Sequence, residues 1–176
     1  MTVPWYALLL AAVAAERGAE LVLARRNARW SRERGGLPVD GGHYPWMVAL
    51  HTALLPACLL EVLAAGRPFR PVLGWAMLVV VAAAQGLRWW CVRTLGRRWN
   101  TRVIVVPGLP AVTAGPYRLL RHPNYAAVAA EGAALPLVHG AWVTAAGFTL
   151  LNAWLLAVRV RCEEAALAPS RAPSTA

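Results

Sequence analysis

Five apolar runs, each bounded by polar or turn-forming residues, dominate the pattern of this 176-residue chain. They cover residues 3–23, 44–63, 71–90, 125–138 and 142–158. A helix rises 1.5 Å per residue, so the first run reaches about 32 Å and can cross the hydrocarbon core of a bilayer. The fourth run is short and meets the fifth at His139–Gly140. The pattern predicts an all-α integral membrane protein with about five transmembrane helices, the last two forming a helical hairpin.

Composition and charge agree with a membrane location. Hydrophobic residues make up 59% of the chain, whereas soluble domains are nearer half apolar. The net charge is +10, and all 18 basic residues are arginine. A charge of this size can indicate nucleic-acid binding, but these arginines lie between apolar runs, as in the cytoplasmic loops of membrane proteins. We therefore expect membrane lipids as neighbours and no nucleic-acid partner.

The arginines also predict the orientation of the chain. They cluster at residues 25–34, 93–121 and 159–171, whereas the turn at residues 66–70 holds only two. Under the positive-inside rule the three clusters are cytoplasmic. Five crossings then place the N-terminus outside and the C-terminus in the cytoplasm. The cysteines and histidines show no metal-ligand spacing, so no metal site is expected.

A compact polar string, GPYRLLRHPNY at residues 115–125, is the first candidate for chemistry. Charged and aromatic residues held at the end of a lipid-buried helix are candidates for function. Pro123 predicts a helix start, with His122 just outside it, and free N–H groups at such an end suit an anionic group. Residue by residue, contacts with lipid headgroups and an interfacial tyrosine are the commoner explanation of such side chains. As one compact block, it indicates a site on the cytoplasmic side.

A second polar block, RVRCEE, follows the last apolar run at residues 159–164. Arg159 and Glu163 are four residues apart and share a face if the helix continues. They form either an ion pair at a solvated helix end, or a site in which Arg159 binds an anionic substrate oxygen and Glu163 a cofactor hydroxyl or ammonium.

Acidic residues inside the apolar runs are a third feature. In the first run Arg17 can pair with Glu20 at i,i+3, and Glu16 lies beside them. Glu131 lies within the short fourth run and is expected to face protein or a cavity. These residues either snorkel to the cytoplasmic surface or line a substrate tunnel, so Glu16 and Glu131 are candidate substrate-binding residues.

The order Gly-x-Tyr, Arg-His-Pro-x-Tyr and Arg-x-x-x-Glu-Glu resembles the isoprenylcysteine carboxyl methyltransferase family of integral membrane enzymes. The resemblance is strongest over residues 96–167, and the upstream part looks like the small bacterial members. This likeness implies the plasma (inner) membrane of a bacterium. We expect residues 1–167 to form one transmembrane methyltransferase domain. The small, polar residues 168–176 are expected to be a disordered tail.

The resemblance implies methyl transfer from S-adenosylmethionine to an acidic oxygen of a lipophilic, membrane-embedded substrate. That oxygen is a carboxylate, as in C-terminal isoprenylcysteine O-methylation, or an enol. The implied catalytic and substrate-binding residue is Arg159. The implied cofactor-binding residues are Leu109, Pro110, Ala111, Val112, Tyr117, His122, Pro123, Asn124, Tyr125 and Glu163. The acceptor stays open between a prenylated thiol acid, a lipid acid and a polyketide pyrone.

Two other functions share part of this pattern. Membrane NADPH-dependent sterol reductases carry a similar Arg-His-x-x-Tyr string near their C-terminus. Their tails continue into a Lys-Tyr-Gly-type segment, whereas this chain has Arg-Cys-Glu-Glu, which favours methyl transfer. A non-enzymatic small membrane subunit is the third possibility, and it leaves the clustered polar block unexplained.

Overall fold

The protein is helical in a computed structural model that describes residues 2–39 and 42–171, with side chains as far as residue 166. Over these residues the chain forms five α-helices. They are α1 (Val3–Arg32), α2 (Tyr44–Ala64), α3 (Pro71–Leu95), α4 (Pro123–Leu137) and α5 (Trp142–Arg171). One element was not predicted: β1 (Leu37–Pro38) pairs antiparallel with β2 (Ile104–Val105). This short pairing ties the loop after α1 to the loop after α3.

Proline sets the start of four helices. α1, α2, α3 and α4 each carry a proline in the first or second position, where its missing N–H leaves no hydrogen bond unmade. α1 continues to Arg32, well beyond the apolar run that predicted it, because a helix can leave the bilayer without breaking its backbone hydrogen bonds. α3 ends at Gly96, whose φ of 54° is easily adopted only by glycine.

Within the described residues, three helices are long and apolar enough to span a membrane: Tyr44–Ala64, Pro71–Arg98 and Trp142–Ala166. α4 is 15 residues long, and α1 carries charged residues in its middle. The three apolar helices identify the protein as an integral membrane protein. Five crossings and the orientation of the termini stay predictions.

The predicted hairpin is present at the end of the chain. Residues 138–141 join α4 to α5, and the two helices pack antiparallel. They approach closely at Gly132, where a Cβ atom would collide with the Phe148 ring. Glu61 of α2 holds the start of α5, because its carboxylate accepts from the Val143 and Thr144 backbone N–H groups at 3.1 and 2.7 Å. This carboxylate caps α5 from a neighbouring helix.

The far end of α5 corrects one expectation. Residues 168–171 were predicted to be disordered, but the helix continues to Arg171. The preceding residues, Ala165, Ala166 and Leu167, are strong helix formers, which explains the extension. The rest of the predicted tail, residues 172–176, lies outside the described residues.

Candidate functional site

A cavity of about 620 Å³ opens at the end of the bundle where α1 and α3 end and α4 begins. Its wall combines the loop that follows α3, the turn before α4 and the later part of α5. Nine of the ten predicted cofactor-binding residues line it, and so does Arg159. The tenth, Pro123, is buried and starts α4 without reaching the cavity wall. Residues that lie far apart in the sequence are thus brought into one site.

The turn into α4 follows from Pro123. His122 has φ −131° and ψ 63°, outside the helical region, as expected for the residue before a proline. The helix begins at Pro123, and Tyr125 N donates to His122 O at 3.1 Å. Asn124 and Tyr125 both line the cavity from this first turn. The Asn124 Oδ1 atom is buried and accepts no hydrogen bond from the described residues.

The Tyr125 hydroxyl lies between Arg159 and Glu163 of α5. Its hydroxyl accepts from Arg159 Nε at 2.8 Å and donates to the Glu163 carboxylate. Arg159 and Glu163 are about one helical turn apart, so both reach the same hydroxyl. The Tyr125 ring stacks on the His122 ring, with centroids 5.3 Å apart and planes 7° from parallel. The expected shared face is present, but the contact runs through Tyr125 and is not a direct ion pair.

Arg159 is a buried cation without a carboxylate partner. Its side chain is 8% exposed, and within residues 2–39 and 42–171 no acidic group lies in ion-pair distance of it. Nη1 lies 3.6 Å from the Met47 sulfur, and Met47 clusters with Leu155 and Leu156. A buried charge with no counter-ion is unfavourable. The surroundings of Arg159 therefore suit an anionic group attached to an apolar molecule.

Glu164 lies outside the cavity wall, beside His122 and Arg121. Its Oε1 is 3.7 Å from His122 Nε2 and 3.9 Å from Arg121 Nη1. Glu163 Oε2 is 4.0 Å from His122 Nδ1. α5 continues as a regular helix here, so both neighbouring carboxylates flank the histidine. These contacts are too long for strong hydrogen bonds, and they leave His122 available to a ligand.

The loop Leu109–Val112 forms the open side of the cavity. Arg98 Nη1 donates to the Pro110 carbonyl at 2.7 Å and holds this loop against the end of α3. Tyr117 closes the wall from the turn before α4, where burial raises the pKa of its phenol. The phenol therefore stays neutral at physiological pH, and it adds no negative charge beside an anionic ligand.

Part of the wall was missed by the sequence reasoning. Trp99, Asn100 and residues 102–106 line the cavity beside Arg98. Asn100 Oδ1 is buried without a hydrogen-bond partner among the described residues. The Trp-Asn pair inside an arginine-rich loop was the only signal, and nothing in the pattern placed it opposite α5.

The predicted substrate residues Glu16 and Glu131 do not line this cavity. They belong to a polar network inside the bundle that links α1, α3 and α4. Arg17 donates to Glu20 at 2.6 Å, which confirms the predicted pair, and to Glu131 at 2.9 Å. Arg88 donates two hydrogen bonds to the Glu20 carboxylate, from Nε at 2.5 Å and from Nη2 at 2.8 Å.

Glu16 lies at the edge of the same network. It accepts from the Trp89 indole N–H at 2.6 Å and from the Gln85 amide. Gln85 also donates to Glu131 at 3.3 Å. Because protein donors already occupy both carboxylates, the network braces three helices, and a substrate contact by Glu16 or Glu131 stays a prediction.

The comparisons with known proteins identify the family of this chain. The model of the isoprenylcysteine carboxyl methyltransferase (ICMT) family matches residues 76–169, which include both polar blocks. The uncharacterized protein YpbQ of Bacillus subtilis (strain 168) is 37% identical over 161 residues, covering 91% of this chain and 95% of that protein. No solved structure matches this chain. The chain belongs to the isoprenylcysteine carboxyl methyltransferase family.

Proposed function

We propose that this membrane methyltransferase uses S-adenosylmethionine to methylate an acidic oxygen, a carboxylate or an enol, of a lipophilic substrate. Membership of the family implies methyltransferase activity in a membrane. The observation that carries the proposal is Arg159, a buried cation without a carboxylate partner among the described residues, on the wall of the predicted cofactor cavity. The family match gives no support to the reductase alternative.

The cavity fits the proposed cofactor in size and in hydrogen bonding. Its volume of about 620 Å³ lies inside the range of ordinary ligand pockets, roughly 300–1,000 Å³. Two buried oxygens, Asn124 Oδ1 and Asn100 Oδ1, lack donors among the described residues. S-adenosylmethionine carries an ammonium, ribose hydroxyls and an adenine amine, which are donors, and it supplies a methyl group activated by a positively charged sulfur. Asn100, Asn124 and Glu163 would hold these groups.

Arg159 would orient the acceptor. Its Nε is held by the Tyr125 hydroxyl, so the plane of the guanidinium is fixed while the Nη groups remain for an anionic oxygen. A carboxylate or enolate is already ionised near neutral pH and needs no strong base. The chain therefore contributes mainly position, by holding the acceptor oxygen in line with the methyl carbon.

The apolar neighbourhood of Arg159 supports a lipophilic acceptor. Met47, Leu155 and Leu156 pack together beside it, with Leu50 and Tyr125 at their edge. An acceptor with a polar acid and a hydrocarbon chain would place the acid on Arg159 and the chain against this cluster. Glu16 and Glu131 would affect such a substrate through the packing of α1, α3 and α4.

Calorimetry on the detergent-purified protein tests the cofactor. We expect S-adenosylhomocysteine, the demethylated product, to bind, and NADPH to bind much more weakly. Glu163→Gln should weaken the binding by about tenfold, because an amide accepts hydrogen bonds less strongly than a carboxylate. Glu164→Gln is the matched control, since the neighbouring Glu164 does not line the cavity. Binding of NADPH alone would overturn the proposal.

A label-transfer assay identifies the methyl acceptor. Labelled methyl groups from S-adenosylmethionine should enter a membrane lipid extract in the presence of the wild-type protein and of Glu164→Gln. Mass spectrometry of the labelled lipid should show the mass of one added methyl group. Base-labile label would indicate an ester and therefore a carboxylate acceptor, whereas stable label would favour an enol ether.

A further inference from the structure

A second groove, of about 500 Å³, lies between the end of α1 and the end of α3. It shares no lining residue with the cavity described above. Leu23 and Val92 form its apolar floor, and Trp30 stands at its side. Asn27 joins its two helices, because Nδ2 donates to the Trp99 and Gly96 carbonyls at 2.7 and 3.3 Å. The groove is therefore a fixed feature of the α1–α3 contact.

The rim of this groove is positively charged. Arg26, Arg29 and Arg97 line it and are all exposed. In the part of the chain that the structure describes, none of the three lies within 4.0 Å of a carboxylate. Glu33 is the acidic residue among the lining residues, so the groove carries an excess of two positive charges. Unpaired guanidinium groups in this arrangement suit a phosphate, which they can bind through forked hydrogen bonds.

An exposed apolar surface continues from the groove along the same two helices. Val22 of α1 is 49% exposed, and Trp89 of α3 is 36% exposed. Val22 lies one helical turn before Arg26, about 6 Å along the axis. The surface thus changes from apolar to cationic over the distance that separates acyl chains from the headgroup of a lipid. Tryptophans at that boundary are typical of a membrane interface.

We propose that this groove binds an anionic phospholipid, with the phosphate among Arg26, Arg29 and Arg97 and the acyl chains on the apolar surface below. A soluble acidic protein would satisfy the charges but would leave the adjoining apolar surface uncovered. A neutral lipid would cover the surface but bring no net charge to the arginines. An anionic lipid satisfies both. This inference does not rest on the proposed methyl transfer.

Native mass spectrometry tests the proposal with protein from nanodiscs of equal parts phosphatidylglycerol and phosphatidylcholine. After transfer to detergent, the wild-type protein should keep phosphatidylglycerol in preference to phosphatidylcholine. Arg26→Gln/Arg97→Gln should lower the affinity for phosphatidylglycerol by at least about tenfold. Arg25→Gln/Arg93→Gln is the matched control, because it removes two exposed charges from the same helices outside the groove. The control should keep the wild-type preference.

Two further measurements make the result decisive. Both double variants should bind S-adenosylhomocysteine with the same affinity as the wild type. The unfolding temperature of each variant in detergent shows, independently of the cofactor, that the variant is folded. Inorganic phosphate added to the protein should not displace the lipid, because it cannot use the apolar surface. Equal losses in both double variants would show general surface charge and overturn the proposal, as would no loss in either or displacement by free phosphate.

Discussion

The Arg159 Nε–H donates a hydrogen bond to the Tyr125 hydroxyl at 2.8 Å, and that hydroxyl donates a hydrogen bond to the Glu163 carboxylate. One phenol thus lies between the residue proposed to hold the acceptor and the residue proposed to hold the cofactor. Hydrogen bonds in such a chain polarise one another, so a change at Glu163 is felt at Arg159. The two halves of the proposed reaction are connected by this contact.

Arg159→Lys should leave binding of S-adenosylhomocysteine nearly unchanged and lower methyl transfer by about a hundredfold, because lysine keeps the charge but loses the planar fork that positions an acceptor. Calorimetry and the label-transfer assay measure the two effects. Arg161→Lys, an exposed change two residues away, is the control and should be silent. Loss of cofactor binding in Arg159→Lys would instead make Arg159 a cofactor ligand, and wild-type turnover would remove its role.

Tyr125→Phe tests the coupling. The ring and its stacking on His122 remain, but the hydroxyl that orients Arg159 is lost. We expect a drop in turnover of about tenfold and a smaller drop in cofactor affinity, since a hydrogen bond to a charged group is worth roughly 1.5–3 kcal/mol. In the double variant Tyr125→Phe/Arg159→Lys, the loss of turnover, expressed as activation free energy, should be smaller than the sum of the losses in the two single variants. Strictly additive losses would show that the two residues act independently.

Arg88→Met should destabilise the fold, because it leaves the buried Glu20 carboxylate with only Arg17 as a partner. Removing one member of a buried ion pair costs about 3–5 kcal/mol, and the remaining pair should bring the loss toward the lower figure. Arg93→Met, an exposed change on the same helix, is the control. The free energy of unfolding of both variants is measured in a series of denaturing detergent concentrations. If Arg88→Met unfolds with the same free energy as Arg93→Met, the network contributes no net stabilisation.

Gly132→Ala should weaken the α4–α5 hairpin, since the added Cβ would collide with the Phe148 ring. Overpacking of this kind costs about 1–3 kcal/mol. Phe148→Leu in the same chain removes the colliding ring edge and should restore part of the stability. Gly147→Ala, where a Cβ meets nothing within 4 Å, is the control on the neighbouring helix. A double variant no more stable than Gly132→Ala would place the collision elsewhere.

The helices and the family motifs were readable from the sequence, because apolar length and proline position are local properties. The hairpin at His139–Gly140 and the pairing of Arg17 with Glu20 were confirmed for the same reason. The cavity wall at Trp99 and Asn100 was not predictable, since it depends on how the loop after α3 folds back towards α5. Gln85 and Arg88 were likewise missed, because their partners lie on other helices.

The polar network has a consequence for how the protein is made. α1 is synthesised before α3 and α4, and it carries Glu16, Arg17 and Glu20 in its middle. Isolated charges are unfavourable in lipid. The partners of these residues come later in the chain. Arg88 follows its partner Glu20 by 68 residues, and Glu131 follows its partner Arg17 by 114 residues. The ion pairs and hydrogen bonds of α1 to α3 and α4 therefore form only after those two helices have been synthesised. A helix that is translated before its partners thus completes its packing only after they have been made.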